Sequence, residues 1–277
     1  MTIDLSTIAA GLASSGARFP LNKVLPTMEA AGQFHSMWKI AGSPNRDGGV
    51  AGANPPGFTA GSGYIPTRAT AGAIGQANPT NNKYVGLIDC KAPVAGTLIL
   101  ADRLWACSAI LSNTTGTQTI TTPGTLTAGR DPNSGLDVEP WIEYYTTDGA
   151  TGGVWTLTGT DASGNTGRTW TATKPASAQL AGTIIPMLNG AAVGGCRVPT
   201  SMALSVSSGT AGDCGVTLIR RLAQVTVSLA NQEAAKDAIM CGLPEVFDDA
   251  CLFFIWHNTA TTTMQVLGTV GLPELTP

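Results

Sequence analysis

The chain has 277 residues, of which only 12% are charged, and its formal net charge is −3. Because typical soluble proteins have about 25% charged residues, few charges are available here to form a solvated surface. The 15 Lys and Arg residues form no basic run, Arg220 and Arg221 being the only adjacent pair, which argues against direct nucleic-acid binding. The length suits one large β domain or two smaller ones.

The first 82 residues predict a helix followed by an extended arm. Pro26 and Gly42 bracket residues 27–40, whose apolar side chains recur at roughly helical spacing. The following Gly/Pro-rich arm, residues 41–82, is crowded with Gly, Pro, Ala and Asn and lacks hydrophobic periodicity. Such a segment buries too little apolar surface to offset its own ordering entropy. We therefore expect the arm to be extended and to be ordered by neighbouring subunits.

Residues 83–229 predict a β-sandwich, because short strands alternate with turn signals about every ten residues. The clearest element is a hairpin between residues 154–160 and 168–173, joined by the turn-rich sequence DASGNTG. Residues 137–146 alternate, which predicts one buried and one solvated face. The solvated face would carry three carboxylates, Asp137, Glu139 and Glu143.

Residues 230–277 predict a C-terminal helix and a β-hairpin tail. Asn231 is a good N-cap and Gly242 a good C-cap for the helix. Residues 250–256 are apolar on both faces, as in a buried or interface strand, and residues 261–270 would pair with them. The predicted fold is thus mainly β: an antiparallel β-sandwich, jelly-roll or immunoglobulin-like, with the extended arm and a short C-terminal helix plus strands. The predicted domains are 1–82, 83–229 and 230–277.

The apolar runs and the N-terminal sequence predict where the chain is made and whether its cysteines are reduced. The most apolar run, residues 250–257, is far shorter than the roughly 20 residues of a membrane span. Asp4 stands where a signal peptide has basic residues, so we expect synthesis in a cytoplasm and no membrane contact. In that compartment cysteines stay reduced, and none forms a C-x-x-C pair. We expect buried free thiols at Cys90, Cys107, Cys196, Cys214, Cys241 and Cys251.

Candidate catalytic groups are few, and a packing or solvated role explains each more simply. The chain has two histidines, His35 and His257, and nothing places a nucleophile beside either. The carboxylates of residues 137–146 could hold Ca²⁺ or act as a glycosidase pair. A second acidic group lacks EF-hand spacing and comprises Glu245, Asp248 and Asp249. The sequence has no phosphate-binding loop and no G-x-S-x-G elbow, so we expect no enzyme, no metal and no cofactor.

Aromatic residues of the predicted sandwich support an alternative function. A row of exposed rings would form a platform for a glycan, although aromatic residues on sheets more often lie in the core or at an interface. A glycan-binding module therefore requires a solvent-facing row among Trp141, Tyr145, Trp155 and Trp170.

Two stretches carry a resemblance to a known class of proteins. Residues 164–222, which include GNTGRTWTAT and GTIIPMLNGAAVGGCRVPTSMALSV, and residues 243–254, LPEVFDDACLFF, resemble structural proteins of tailed-bacteriophage virions. The resemblance implies a non-enzymatic component, foremost a capsid decoration or cement protein on the capsid surface that stabilises the head through subunit contacts. Main capsid, neck and tail roles stay open, because the long arm departs from the shorter decoration proteins.

The resemblance also implies partners. These are copies of the chain itself, with a trimer as one arrangement, and a major capsid protein lattice. We expect the contact residues in the arm and in the apolar strand 250–256, at Pro55, Pro56, Phe58, Tyr64, Ile65, Phe253 and Ile255.

Overall fold

The computed structural model describes residues 4–28, 30–57, 64–121, 126, 130–131, 133–190 and 194–275. This part of the chain is mainly β, with antiparallel sheets and short helices. The predicted fold class is therefore confirmed. The predicted contact residue Phe58 lies outside the described residues.

The elements follow one another closely along the chain. The helices are α1 (Leu5–Ala13), α2 (Arg46–Gly49), a single distorted turn, and α3 (Ala238–Cys241), and a 3₁₀ turn covers Met37–Lys39. The strands are β1 (Arg18–Leu25), β2 (Phe34–Ser36), β3 (Gly42–Ser43), β4 (Asn82–Tyr84), β5 (Leu87–Lys91), β6 (Gly96–Ala106), β7 (Ile110–Leu111), β8 (Gln118–Thr119), β9 (Val138–Tyr144), β10 (Gly153–Asp161), β11 (Arg168–Lys174), β12 (Thr183–Pro186), β13 (Leu188–Asn189), β14 (Cys196–Leu204), β15 (Asp213–Val227), β16 (Glu233–Asp237), β17 (Glu245–Val246), β18 (Leu252–Asn258), β19 (Met264–Gly271) and β20 (Glu274–Leu275).

The chain forms two compact units, and the first comprises residues 1–53, 67–102 and 222–277. Its largest sheet has the strand order β16-β5-β19-β1-β3. In addition, β18 pairs with both β6 and β2, and β4 pairs with both β17 and β20. Alternate residues of these strands enter one core, in which Leu25, Trp256 and Val266 are fully buried. This burial supplies the main stabilisation of the unit.

The second unit comprises residues 54–66 and 103–221. One sheet has the order β13-β11-β10-β14-β8, while β9 pairs with both β12 and β15 and β15 also pairs with β7. The predicted hairpin is confirmed as β10 and β11, in register from Gly153 opposite Lys174 to Gly159 opposite Arg168. The core of the unit is rich in aromatic side chains, among them Trp155 and Trp170. The two units group the chain differently from the predicted division into 1–82, 83–229 and 230–277.

The predicted helix at residues 27–40 is wrong. The segment contains β2 and the 3₁₀ turn instead, because β2 pairs with β18 and places His35 opposite Trp256. Tertiary pairing thus overrides a weak helical pattern. The helix near the N-terminus is α1, where the Asp4 carboxylate accepts a hydrogen bond from the Thr7 backbone N–H at 2.7 Å and so acts as its N-cap.

The C-terminal predictions are correct only in part. A short helix does end at Gly242, which has a φ of +73°, but it begins at Ala238 rather than at Asn231. Residues 233–237 form β16 because they pair with β5. The predicted hairpin tail is wrong: β19 pairs with β1 and β5, whereas β18 pairs with β2 and β6.

Candidate functional site

Several described residues of the Gly/Pro-rich arm pack against their own chain. In the first unit, Ile74 is 1% exposed, and its backbone N–H donates to the Leu252 carbonyl at 2.8 Å. The side chain of Gln76 donates to the Ala250 carbonyl at 3.2 Å. These described residues of the arm therefore pack against their own unit, whereas composition predicts that neighbouring subunits order the arm. Burial of a few apolar side chains and of paired backbone groups anchors a segment whose average composition does not predict folding.

Glycine allows the arm to approach the body of the first unit closely. A Cβ atom at Gly52 would lie 2.0 Å from Nε1 of Trp38, so only glycine fits beneath this ring. The Gly52 N–H donates to the Trp38 carbonyl at 2.7 Å. Gly72, with a φ of +91°, also lies close to both Gly52 and the Trp38 ring. The glycines that seem to mark a linker here serve close packing instead.

A buried lysine fixes the start of the arm. The Nζ of Lys23 donates to the carbonyls of Met37 at 2.7 Å and Ile40 at 3.1 Å, and to Oδ1 of Asn45 at 2.5 Å. These three neutral acceptors match the three N–H donors of an ammonium group. Burial nevertheless lowers the pKa of Lys23 to about 7, because none of the described carboxylates offsets the loss of water.

The lowered pKa of Lys23 predicts a pH-dependent stability. Between this pKa and the ordinary value of 10.5, the unfolded chain holds a proton that the folded chain has released. The free energy of unfolding is therefore expected to rise with pH across this range, by up to about 1.4 kcal/mol per pH unit. Below the folded pKa both states are protonated and Lys23 adds no slope. Urea unfolding of the natural protein and Lys23→Met at a series of pH values tests this, and equal slopes for the two proteins would contradict it.

Residues of the arm and of β1 line an open cavity of 580 Å³ in the first unit. We call it the arginine cavity, because Arg46 and Arg68 both line it. Arg46 lies 3.4 Å from Asp47, and Arg68 lies 3.3 Å from Asp249 and donates to Asn78 at 2.5 Å. Asp47 lines the cavity as well, and the remaining lining residues are Phe19, Pro20, Ser43, Pro44, Asn45, Gly75, Gln76 and Ala77. The lining thus combines two guanidinium groups, each already beside a carboxylate, with the Phe19 ring and two proline rings.

The second unit contains a fully buried charge network. Nη2 of Arg103 donates to Oε2 of Glu143 at 2.5 Å, to the Tyr145 hydroxyl at 3.0 Å and to the Thr217 hydroxyl at 3.1 Å. Both hydroxyl groups in turn donate to Oε2 of Glu143. Burial is the main cause that raises the pKa of Tyr145 well above its ordinary value, so its phenol stays protonated. We call these four residues the Arg103 network.

The Arg103 network shows that the predicted solvated face of residues 137–146 is wrong. Glu143 is 0% exposed, because both faces of β9 are covered: residues 140–144 are all buried. Glu139 instead forms a half-exposed ion pair with Arg221 at 2.7 Å, and Asp137 is exposed and accepts a hydrogen bond from Asn133. The three carboxylates therefore do not form one acidic pair. A signal for the missed Arg103 was its position inside the apolar strand TLILADRLW, since a buried charge requires a partner.

The other candidate groups also have structural neighbours. His35 is buried opposite Trp256, and the ring of His257 stacks on Phe34 with 4.3 Å between centroids. In the second acidic group, Asp249 pairs with Arg68, while Glu245 begins β17 and Asp248 is exposed. Within the described residues, no group of three or more His, Cys, Asp and Glu side chains is arranged to hold a metal ion.

The cysteines are free thiols, as the sequence predicts, and all except the half-buried Cys241 are buried. Burial raises the pKa of Cys90 and of Cys107 to about 12. These thiols therefore pack as small apolar groups and do not act as nucleophiles at neutral pH.

The aromatic row required for glycan binding does not exist on the surface. Trp141, Trp155 and Trp170 are 0% exposed and Tyr145 is 4% exposed. Nε1 of Trp155 donates to the Tyr144 hydroxyl at 2.9 Å inside the core. These rings stabilise the second unit, and the hypothesis of an aromatic glycan platform is wrong.

The predicted contact residues divide into buried and accessible positions. Phe253 and Ile255 are at most 1% exposed within the chain, so their side chains offer no surface to a neighbour. Pro55 is buried, and its carbonyl accepts a hydrogen bond from the Ser108 hydroxyl. Pro56 is exposed, and Tyr64 and Ile65 are half-buried. A contact role for these last three residues stays a prediction.

Comparisons with known proteins add little to this geometry. None of the helices in the described part of the chain has the length and apolar character needed to cross a membrane. No protein family model matches the chain, and no curated protein matches it. A crystal structure of the VP2 subviral particle of infectious bursal disease virus is similar at 8% identity, covering 99% of this chain and 87% of that one, with a TM-score of 0.22. A structure of the Gx strain of the same virus has 9% identity, covering 94% and 80%, with a TM-score of 0.21. Likenesses at these TM-scores carry no argument about fold or function.

Proposed function

We propose that the chain is a non-enzymatic structural subunit of a virion, and that its specific role is a decoration or cement protein of a tailed-phage capsid. The observation that carries the proposal is the exposure of apolar side chains beside sheet edges. Leu188 in the edge strand β13 is 69% exposed, and Ile239 and Met240, directly after the edge strand β16, are 70% and 63% exposed. Exposed apolar groups beside unpaired strand edges favour association with another protein chain.

Low charge supports the same proposal. Interface cores are depleted in charged residues, and a chain with 12% charged residues has fewer groups to desolvate when its surface is covered. The resemblance of residues 164–222 and 243–254 to phage structural proteins supports virion subunits as the proposed partners. The proposed partners are copies of the chain, with a trimer as one arrangement, and a major capsid lattice.

Labelling of purified virions tests this proposal. We expect an antibody raised against the recombinant chain, detected by immunogold electron microscopy, to label heads of virions from a culture that carries the natural gene. Quantitative mass spectrometry of the same particles should find many copies per virion, and pre-immune serum is the matched control. Label confined to the neck or tail would overturn the decoration role and support another virion role. Particles with neither label nor peptides of the chain would overturn the proposal as a whole.

A further inference from the structure

A regular array of threonine side chains covers one face of a sheet in the second unit. Strands β10 and β11 contain the sequences TLTGT and TWTAT, in which threonine occupies every second position. Because alternate residues of a strand point to opposite faces of a sheet, each strand places its threonines on one face. We call this set the threonine face, and its members are Thr156, Thr158, Thr160, Thr169, Thr171 and Thr173.

The pairing of the strands aligns these side chains in rows. Thr156 lies directly opposite Thr171, and the pairing of β10 with β11 shows no shift in register. Neighbouring strands lie about 4.8 Å apart, and alternate residues of one strand about 6.7 Å apart, so the hydroxyl groups form a two-dimensional lattice. The next row extends this lattice over four strands, through Thr169 of β11, Thr158 of β10, Ser201 of β14 and Thr119 of β8.

The opposite face of the same strands holds the lattice in place. The residues between the threonines include Trp155, Leu157 and Trp170, which are 0% exposed and lie in the core of the second unit. Threonine is β-branched and therefore has few accessible rotamers, so its hydroxyl and methyl groups keep nearly fixed positions. The lattice is thus formed before any ligand arrives, and binding costs little conformational entropy.

The hydroxyl groups of the threonine face are available to an external ligand. All six residues are half-buried or exposed, and among the described residues none of their hydroxyl groups takes part in a hydrogen bond. The neighbouring outward positions are uncharged as well, since Val154 lies opposite Thr173 and Ala203 opposite Thr156. A face without charges suits a neutral ligand, and a lattice of hydroxyl groups suits one whose own oxygen atoms repeat in two directions.

We propose that the threonine face binds ice. The oxygen atoms on the surface of an ice crystal repeat in two directions, at distances comparable to the two spacings of this lattice. The threonine hydroxyl groups hydrogen-bond water molecules of the crystal, and the methyl groups order the water between them, because apolar groups restrict the orientations of adjacent water. This function goes beyond the virion role and does not depend on it.

The size of the threonine face determines which effect on ice is expected. Because sheets twist, the match to a flat crystal surface extends over a few rows only. We therefore expect the chain to slow the growth of large ice grains at the expense of small ones, rather than to depress the freezing point strongly.

An ice recrystallisation assay tests the proposal. We expect the isolated natural chain to keep ice grains small in a frozen solution held just below its melting point. Thr158→Lys should raise the concentration needed for this effect by at least about tenfold, because a long charged side chain at the centre of a matched surface breaks the contact around it. The matched control is Thr262→Lys, the same change at an exposed threonine of the first unit, which should leave the effect unchanged.

The outcomes separate ice binding from the proposed function. A natural chain without effect on grain size overturns ice binding, as does a Thr158→Lys variant that is as effective as the natural chain. An equal loss in Thr262→Lys also overturns it, because the effect would then not belong to the threonine face. If Thr158→Lys lowers the urea midpoint, Thr171→Lys replaces it. A loss confined to the threonine face supports ice binding, whatever virion labelling shows.

Discussion

Replacing Arg103 with Met is expected to lower the free energy of unfolding by about 3–5 kcal/mol. The change leaves the Glu143 carboxylate in the core of the second unit without its guanidinium, and Tyr145 and Thr217 provide only hydroxyl groups to stabilise it. The cost is large because the side chains of Arg103 and Glu143 are both 0% exposed, so water cannot replace the lost partner. Urea unfolding followed by tryptophan fluorescence measures the change.

A matched surface pair gives the control for Arg103→Met. Arg221 and Glu139 are also an Arg–Glu pair, with a distance of 2.7 Å, but both side chains are 38% exposed. We expect Arg221→Met to cost less than about 1 kcal/mol. The double variant Arg103→Met, Glu143→Leu should recover part of the stability that Arg103→Met loses, because no buried charge remains. Equal effects of Arg103→Met and Arg221→Met would contradict the network as described.

Replacing Ile74 with Ala is expected to cost about 2–5 kcal/mol of unfolding free energy. Ile74 belongs to the arm, yet its side chain lies in the core of the first unit, so its truncation leaves a cavity there. This expectation reverses the one that follows from composition, by which the arm would be dispensable for folding. The measurement is urea unfolding of the isolated chain at a concentration low enough to exclude self-association.

Val50 provides the comparison within the same arm. It is aliphatic like Ile74 but 50% exposed, so Val50→Ala should change the free energy of unfolding by less than about 0.5 kcal/mol. A small effect of both substitutions in the isolated chain would mean that the arm is not anchored by its own unit. Such a result would support the prediction from composition that neighbouring subunits order the arm.

Local patterns predicted the elements that local interactions determine. The hairpin of β10 and β11 follows from its connector, in which Gly164 and Gly167 have positive φ values of 85° and 69°, and from threonines at alternate positions that face one another across the strands. Gly242 likewise ends α3 in the left-handed conformation that its position predicts. Such signals act over a few residues and need no knowledge of the partner strand.

Long-range pairing determined the rest, and composition does not reveal it. The paired strands β1 and β19 lie at opposite ends of the chain. The local pattern instead predicts a hairpin within residues 250–270, which is wrong. The alternating pattern predicts that Glu143 faces solvent, because alternation alone does not show that both faces of β9 are covered. The arginine cavity was not predicted either, since its residues come from β1 and from two separated parts of the arm.

The rate at which a buried thiol reacts depends on how often the unit that contains it opens. A thiol reagent attacks the thiolate, and with a pKa of about 12 at Cys90 in the first unit and at Cys107 in the second almost none exists at neutral pH until the surrounding structure opens. Labelling at these two positions therefore follows the rates of two separate opening events. Peptide mass spectrometry measures the labelling rate at each of the two cysteines. A neighbour that covers only one unit would slow the labelling in that unit alone.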